Sequence, residues 1–408
     1  MTYFTGLKLE EWQQFRSVDL QFHPRLTVLT GANASGKTTI LNLLARHTDW
    51  QVQTLSVPRR SARTGLIEFV TRFFGGRDQS DQNVIGSISY ADGESARLTV
   101  PQSAGANYQI TIEGQQVVPC VFVPSHRSVY RYEPISQIPA TRLDKQQAFN
   151  RVWHSAKNRY IGERDHPASF HMKEILIAWS IFGRGNADML PDAELLDMYL
   201  GFEDMLRHLL PATLGFQRFA IRNLEIVLEC DSGDFMIDGA SGGLSTLIDL
   251  AWQVFMFVTK DSKYFTVLID EMENHLHPTM QRTVLPDFLA AFPHTRFIVS
   301  THSPLIVNSV RECAVYALRY SNEKQIVSER LDFENRAATA AEILDEVLGV
   351  ATTIPAWAEQ ELESIIQRLA DQDLTEARFA EFREAVQAIG LQYYMPQALG
   401  KLLDARPE

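Results

Sequence analysis

Gly31-Ala32-Asn33-Ala34-Ser35-Gly36-Lys37-Thr38 decides how this chain reads, because it fits the pattern Gly-x-x-x-x-Gly-Lys-Ser/Thr without a gap. The residues before it, Leu26-Thr27-Val28-Leu29-Thr30, read as a buried strand; Ile40, Leu41, Leu43 and Leu44 after it read as the apolar side of a helix. Two glycines let the backbone bend into a nest of N–H groups, and the N-terminal end of a helix starting near Lys37 adds partial positive charge. The result is a cradle for phosphates. Lys37 is placed to neutralise the β and γ phosphates and Thr38 to bind Mg²⁺, with Gly31 through Thr39 lining the nucleotide. The chain is therefore expected to bind a nucleoside triphosphate.

Outward from this loop the pattern is that of an α/β protein. Leu7, Leu9 and Trp12, then Val18, Leu20 and Phe22, mark two strands ahead of the loop strand. Residues 84–90, 96–100, 108–112 and 117–123 alternate or run apolar, with Asp92-Gly93 and Glu113-Gly114 as turns, and read as an antiparallel β layer. Between 144 and 210 the apolar period moves towards 3.6, which predicts a helical insertion. Strands are expected again at 218–229 and 234–237, then a helix over 244–258 and strands at 265–269 and 296–300. After about 337 the pattern is helical, and residues 355–408 hold ten acids against five bases. The expected divisions are 1–140 and 215–336 for the two parts of one core, 141–214 for the insertion, and 337–408 for an acidic helical module.

Composition narrows the class. A chain of 408 residues with 45% hydrophobic content can bury a large core. No apolar run reaches the roughly 18 to 20 residues a membrane helix needs, and the N-terminus lacks a signal-peptide pattern. A soluble cytoplasmic protein without membrane contact is expected. Cys120, Cys230 and Cys313 are widely spaced and odd in number, so they predict reduced thiols rather than a disulfide framework or a zinc site. The net charge of −12 argues against a wholly basic nucleic-acid coat, although a local basic face can still bind DNA.

Two further stretches carry chemistry. Phe265-Thr266-Val267-Leu268-Ile269 followed by Asp270-Glu271 has the Walker B form: an apolar strand delivers Asp270 to a Mg²⁺ ion and Glu271 to the attacking water as general base. Upstream, Gly239-Ala240-Ser241-Gly242-Gly243 opens a helix, which makes a second anion-binding end or a glycine turn with a serine cap. The separation of Ser241 from Asp270 leaves room for one helix, a turn and the Walker B strand. His275 and His277 have H-x-H spacing without a third ligand in view.

Phosphate loop, Ser-Gly-Gly helix, Walker B, Glu273-Asn274-His275-Leu276-His277-Pro278 and Ser300-Thr301-His302-Ser303-Pro304, in that order, resemble the RecF, SMC and OLD (overcoming lysogenization defect) branch of ATP-binding-cassette ATPases. The resemblance covers about 3–39 and 238–318. It implies an ABC-type P-loop core that binds and hydrolyses ATP with Mg²⁺, with two chains sandwiching two nucleotides. It also implies that Ser241, Gly242 and Gly243 act on the nucleotide of the opposite subunit, that 273–278 forms a loop across the dimer interface, and that His302 senses the γ phosphate. A helix-capping role is the alternative for His302. Arg16 resembles a position that approaches the nucleotide, with a surface ion pair as the alternative, and Pro124-Ser125-His126-Arg127 looks like the switch segment of these ATPases. Ala34, where glycine is frequent, and Leu244, where Glu or Gln is frequent, depart from the pattern.

The insertion is too short for the coiled-coil arm of SMC proteins. Asp371-Gln372-Asp373 has the spacing of a TOPRIM metal pair but no strand before it, and reads better as a solvated turn, so no nuclease activity is expected from this chain alone. The stand-alone OLD-like ATPases it resembles are subunits of bacterial antiphage systems such as Septu and PARIS. That implies a homo-oligomer, a dimer or an assembly of dimers, that regulates a separate effector such as a nuclease. The competing expectation is a RecF-like repair or replication ATPase that binds DNA directly. Arg59, Arg60, Arg63, Arg72 and Arg77, and Arg142, Lys145, Arg151, Lys157, Arg159 and Arg164 with Trp153 and Tyr160 beside them, are either its phosphate-facing clusters or solvated faces balanced by nearby acids.

Overall fold

The computed structural model describes residues 2–48, 50, 52–60, 67–71, 82–101, 105–127, 130–138, 142–160, 162–163, 165–258, 264–331, 355–370 and 375–404. Met1–Ala340 and Ala341–Glu408 form two compact units. Among the described residues the first unit is built on an eleven-stranded sheet.

The loop strand Leu26–Gly31 is buried at every position, as a strand covered on both faces must be. It lies between Arg296–Ser300 and Ala314–Tyr320 and runs parallel to both. Thr266–Ile269 and then Cys120–Val123 extend this parallel set to one end of the sheet. All five strands therefore bring their carboxyl ends to the same edge, where the intervening loops can meet.

In the other direction Ala314–Tyr320 pairs antiparallel with Ile326–Leu331. Beyond it lie Phe15–Gln21, Phe4–Trp12, Gln82–Tyr90, Ser95–Pro101 and Thr111–Glu113. Here burial alternates: Phe15, Val18 and Leu20 are buried while Arg16, Asp19 and Gln21 are exposed, so one face packs and the other meets water.

Three expectations change in detail. Residues 117–123 do not join the antiparallel strands; Cys120–Val123 is parallel to Thr266–Ile269 at the opposite end of the sheet. The 108–112 segment is divided: Asn107–Tyr108 pairs with Thr54–Leu55, and Thr111–Glu113 pairs with Ser95–Pro101. Phe216–Arg222, Glu225–Cys230 and Phe235–Met236 form a separate three-stranded sheet. Its first hairpin turns through Asn223 and Leu224 at φ 51° and 61°, the left-handed pair that a tight two-residue connection demands.

Lys145–Tyr160, Ala168–Arg184 and Ala193–Leu209 are the helices of the 141–214 region. Asp192 caps the last of them, accepting from the N–H groups of Glu194 and Leu195. All three face the helix Gly242–Phe257 through aromatic contacts: Phe149 with Phe257 at 5.2 Å, Trp179 with Trp252 at 5.7 Å, and Phe202 with Trp252 at 4.8 Å. Trp50 receives Trp153 and Tyr160 at 5.2 and 4.9 Å and so ties the first helix to the core. The three cysteines are buried and none is in a disulfide.

The second unit contains the helices Ala356–Ala370, Glu376–Ala388 and Met395–Asp404 around Leu362, Ile366, Phe382, Val386 and Leu402. Asp371 to Asp373 lie outside the described residues. Among the described residues no helix is long and apolar enough to cross a membrane.

Candidate nucleotide site

The loop between Leu26–Gly31 and the helix Lys37–Ala45 turns through positive φ at Gly31 (141°), Ala34 (62°) and Gly36 (86°). Both glycines are required by contact as well as by φ. A Cβ on Gly31 would stand 2.4 Å from Leu318 O, and one on Gly36 would stand 2.2 Å from the Phe15 ring. Ala34 is held in its costly conformation through its carbonyl, which accepts from Gln14 Nε2 at 2.8 Å and from Tyr320 Oη at 3.0 Å.

The Lys37 ammonium is buried inside the loop and donates to Gly31 O at 3.0 Å and Ala32 O at 3.1 Å. Burial pulls it down to about 8, while Asp270, Glu273 and Glu271 pull the other way. Thr38 Oγ1 donates to Asp270 Oδ2 at 2.9 Å. Ser300 Oγ, at the end of the neighbouring strand, donates to Asp270 Oδ1 at 2.6 Å and accepts from Glu271 N at 2.8 Å. Lys37, Thr38, Asp270 and Glu271 thus converge from two strands more than two hundred residues apart. His302 lies next to them. Its N–H donates to Glu273 Oε1, its ring shares a hydrogen bond with the Gly31 backbone, and burial followed by the Lys37 charge lowers its pKa. The neighbouring Ser303, not His302, caps the helix Pro304–Val307.

Two residues whose role the sequence did not disclose cross between the 124–127 segment and the turn that follows Thr266–Ile269. Arg127 encloses its guanidinium against the turn and donates through Nη2 to Asp270 O at 3.1 Å and Glu271 O at 3.0 Å, and through Nη1 to Asn274 O at 3.3 Å and Met272 O at 3.5 Å. Burial lowers this guanidinium to about 10, against the pull of Asp249 and the Walker B carboxylates. In the opposite direction Asn274 Nδ2 donates to Ser125 O at 3.1 Å and to Glu271 Oε2 at 2.8 Å. Sequence offers little signal for either, because most of the acceptors are backbone carbonyls.

The remaining expected residues lie elsewhere. Ser241 begins the helix Gly242–Phe257 without a side-chain cap bond, and Ser241 and Gly242 are exposed. A Cβ on Gly243 would meet His275 O at 3.2 Å and Met280 Sδ at 3.3 Å, so this end faces the 273–280 segment. Arg16 is exposed and ion-paired with Glu323. His277 caps Pro278–Ala291 by accepting from Thr279 N.

The basic stretches are largely engaged within the chain. Arg142 pairs with Asp192 at 2.7 Å and with Glu194, Arg151 pairs with Glu174 at 3.2 Å, and Lys145 sits 3.9 Å over the Phe255 ring. Arg159 donates to Ser155 Oγ and His166 O. Arg63, Arg72, Arg77, Arg164 and the Arg59 side chain lie outside the described residues.

A Mg²⁺ ion and a triphosphate suit this donor set. Thr38 and Asp270 are hard oxygen ligands already in contact, and Glu273 Oε2 is buried without a hydrogen-bond partner beside the Lys37 charge.

Two family models match the chain: "AAA domain" over residues 6–118 and "AAA domain, putative AbiEii toxin, Type IV TA system" over residues 172–308. The Septu protein PtuA of Bacillus thuringiensis is 28% identical over 141 residues, 34% of either chain. The Retron Vc95 probable ATPase of Vibrio cholerae serotype O1 biovar El Tor is 49% identical over 47 residues, 12% of this chain and 9% of that one. The chain thus spans well under half the length of these curated relatives. Among solved structures, the Smc head domain of Pyrococcus furiosus overlays at a TM-score of 0.46 with 14% identity, over 85% of this chain and 100% of that one. The SMC head domain of Thermotoga maritima does so at 0.42 with 14% identity, over 81% and 99%. The phosphate loop, Walker B turn and His302 gather at the carboxyl edge of a parallel sheet, and the two stretches that supply them, 6–118 and 172–308, each match an AAA ATPase domain.

Proposed function

We propose that this chain binds ATP between the phosphate loop and the Walker B turn, hydrolyses it with Glu271 as general base, and closes into a dimer around the nucleotide to control a separate effector, a nuclease, in antiphage defence. The observation that carries the catalytic part is the buried Lys37 ammonium, held by Gly31 O and Ala32 O and facing Asp270, Glu271 and Glu273. A cation stored in a loop of N–H groups, with carboxylates opposite, supports the binding of an anion that carries its own counter-cation.

Lys37 exchanges its loop carbonyls for β and γ phosphate oxygens. Thr38 and Asp270 would hold Mg²⁺, which when bound would supply positive charge against the phosphates. Glu271 takes the proton of the attacking water, and His302, beside both Gly31 and Lys37, contacts the γ phosphate. Ser241, Gly242 and Gly243, exposed at an uncapped helix start, are left for the nucleotide of a second chain. The effector rests on the Septu and retron relatives, whose matched portions are short. The internal engagement of the insertion's basic residues weighs against direct DNA binding there.

Nucleotide binding, turnover and sedimentation test this together. Lys37→Ala is expected to lose ATP binding. Glu271→Gln is expected to keep binding, slow turnover by about 10²- to 10⁴-fold, and accumulate an ATP-dependent dimer. Wild-type turnover in Glu271→Gln removes the general base, and a mass independent of ATP removes the sandwich. Co-purification of a nuclease encoded beside this chain supports the effector; its failure to bind in any nucleotide state overturns it.

A further inference from the structure

Glu271 and His275 are both non-glycine residues in the left-handed region, at φ 47° and 65°, and they bracket the turn that carries the expected general base. Such backbone persists only where its surroundings over-determine it. Here the surroundings are identifiable. Asn274 N donates to Glu271 O at 3.1 Å, Arg127 binds four carbonyls of the same turn, and Asn274 Nδ2 donates to both Glu271 Oε2 and Ser125 O.

The two hydrogens of the Asn274 amide are thus divided between the carboxylate of one loop and the backbone of another. Neither Arg127 nor Ser300 touches the Glu271 side chain: Arg127 binds its carbonyl and Ser300 its N–H. Among the described residues, Asn274 holds the carboxylate itself. Ser125 belongs to Pro124-Ser125-His126-Arg127, directly after the edge strand Cys120–Val123. A shift of that segment therefore reaches the carboxylate through a single side chain.

We propose that Asn274 is the positioning residue for Glu271, its amide bridging Glu271 Oε2 to Ser125 O so that the base is aimed only while the switch segment is seated. This rests on the general-base reading of Glu271. It assigns Asn274 no contact with ATP or water. Its effect falls on kcat, because a base held about 1 Å off its line loses rate without changing how tightly the phosphates are held. A double-mutant cycle reads the coupling directly, since a residue acting through Glu271 has nothing to act through once the carboxylate is gone.

The experiment is steady-state turnover and ATP affinity of the full chain as wild type, Asn274→Ala, Asn274→Asp, Glu271→Gln and Asn274→Ala/Glu271→Gln. Asn274→Asp keeps the shape and replaces the donor with a second acceptor, so it carries the test if the alanine variant does not fold. Both Asn274 variants are expected to lower kcat about 10- to 100-fold with ATP affinity within about twofold of wild type. In the Glu271→Gln background the alanine change is expected to add no further loss. Wild-type or faster turnover in Asn274→Asp, or an equal loss in both backgrounds, overturns the bridge. Wild-type turnover in Glu271→Gln removes the general base and the bridge together, whereas a slow Glu271→Gln beside a fast Asn274→Asp removes the bridge alone.

Discussion

The two halves of the large sheet are made of similar apolar residues and put them to different use. In the parallel half every strand delivers its carboxyl end to one edge, so segments 31–38, 123–127, 269–274 and 300–303 meet there and exchange polar contacts. In the other half Ile326–Leu331 and Phe15–Gln21 run parallel, but from Phe15–Gln21 outward successive strands reverse and their turns fall at alternate edges, so no comparable set of loops gathers among the described residues. Its polar pairs are solvated instead: Lys8 with Asp19 at 3.0 Å and Arg97 with Glu113 at 4.0 Å. Strand direction, more than composition, decides where this molecule can build a site.

If that contrast is right, cutting a polar tie at the parallel edge should cost far more than changing one in the antiparallel half. Arg127→Met removes a buried guanidinium from four carbonyls and should destabilise the first unit by about 2–4 kcal/mol in a denaturant titration. A loss of only a few tenths would mean that water satisfies those carbonyls and that the turn is not braced from the 124–127 segment.

Beside the antiparallel half lies a half-buried histidine whose titration can be set against it. His47 Nδ1 lies 3.0 Å from Leu44 O, which can only accept, so the proton is on Nδ1 and Nε2 accepts from Tyr90 Oη at 2.9 Å. Burial pulls this ring down from 6.5 to about 4. Between those values the unfolded chain binds the proton and the folded chain does not, so stability must fall as pH drops from about 6.5 towards about 4. His47→Gln should flatten that limb of a stability-against-pH curve and leave ATP turnover at neutral pH unchanged. An unaltered limb would show that other groups govern acid unfolding.

The smallest expected effect is a gain. Ala34 is held at φ 62°, where glycine carries no Cβ penalty. Ala34→Gly should therefore leave ATP affinity in place and raise stability by at most about 1 kcal/mol, since the added freedom of the unfolded chain offsets part of the relief. A clear destabilisation would show that the Ala34 methyl packs usefully and that the loop is not strained there.

What the sequence disclosed and what it concealed follow the same division. Lys37 and Thr38 are legible because fixed spacing within one loop is local information, and Asp270 because an apolar strand ending in a carboxylate is also local. The direction of residues 120–123 is not legible. An apolar run carries no sign of which way its neighbour points, and its partner strand begins only at Thr266. The strands at 216–236 read as core for the same reason, although among the described residues they pair with one another alone. Arg142 and Arg151 stay open in the sequence between phosphate-facing and solvated, because Asp192, Glu194 and Glu174 meet them only once the helices pack. Arg127 and Asn274 lie in segments that the motifs had marked, yet their acceptors are mainly main-chain oxygens, which every residue possesses.

The place of Leu26–Gly31 between Arg296–Ser300 and Ala314–Tyr320 also bears on how the protein is made. A ribosome completes the phosphate-loop strand early but supplies both of its neighbours only some 270 residues later, a wait on the order of tens of seconds at ordinary translation rates. Throughout that interval an apolar strand has both edges unpaired. Biosynthesis of this ATPase therefore contains a window in which its nucleotide loop exists as sequence but not as structure, and in which a holding chaperone would find its natural substrate.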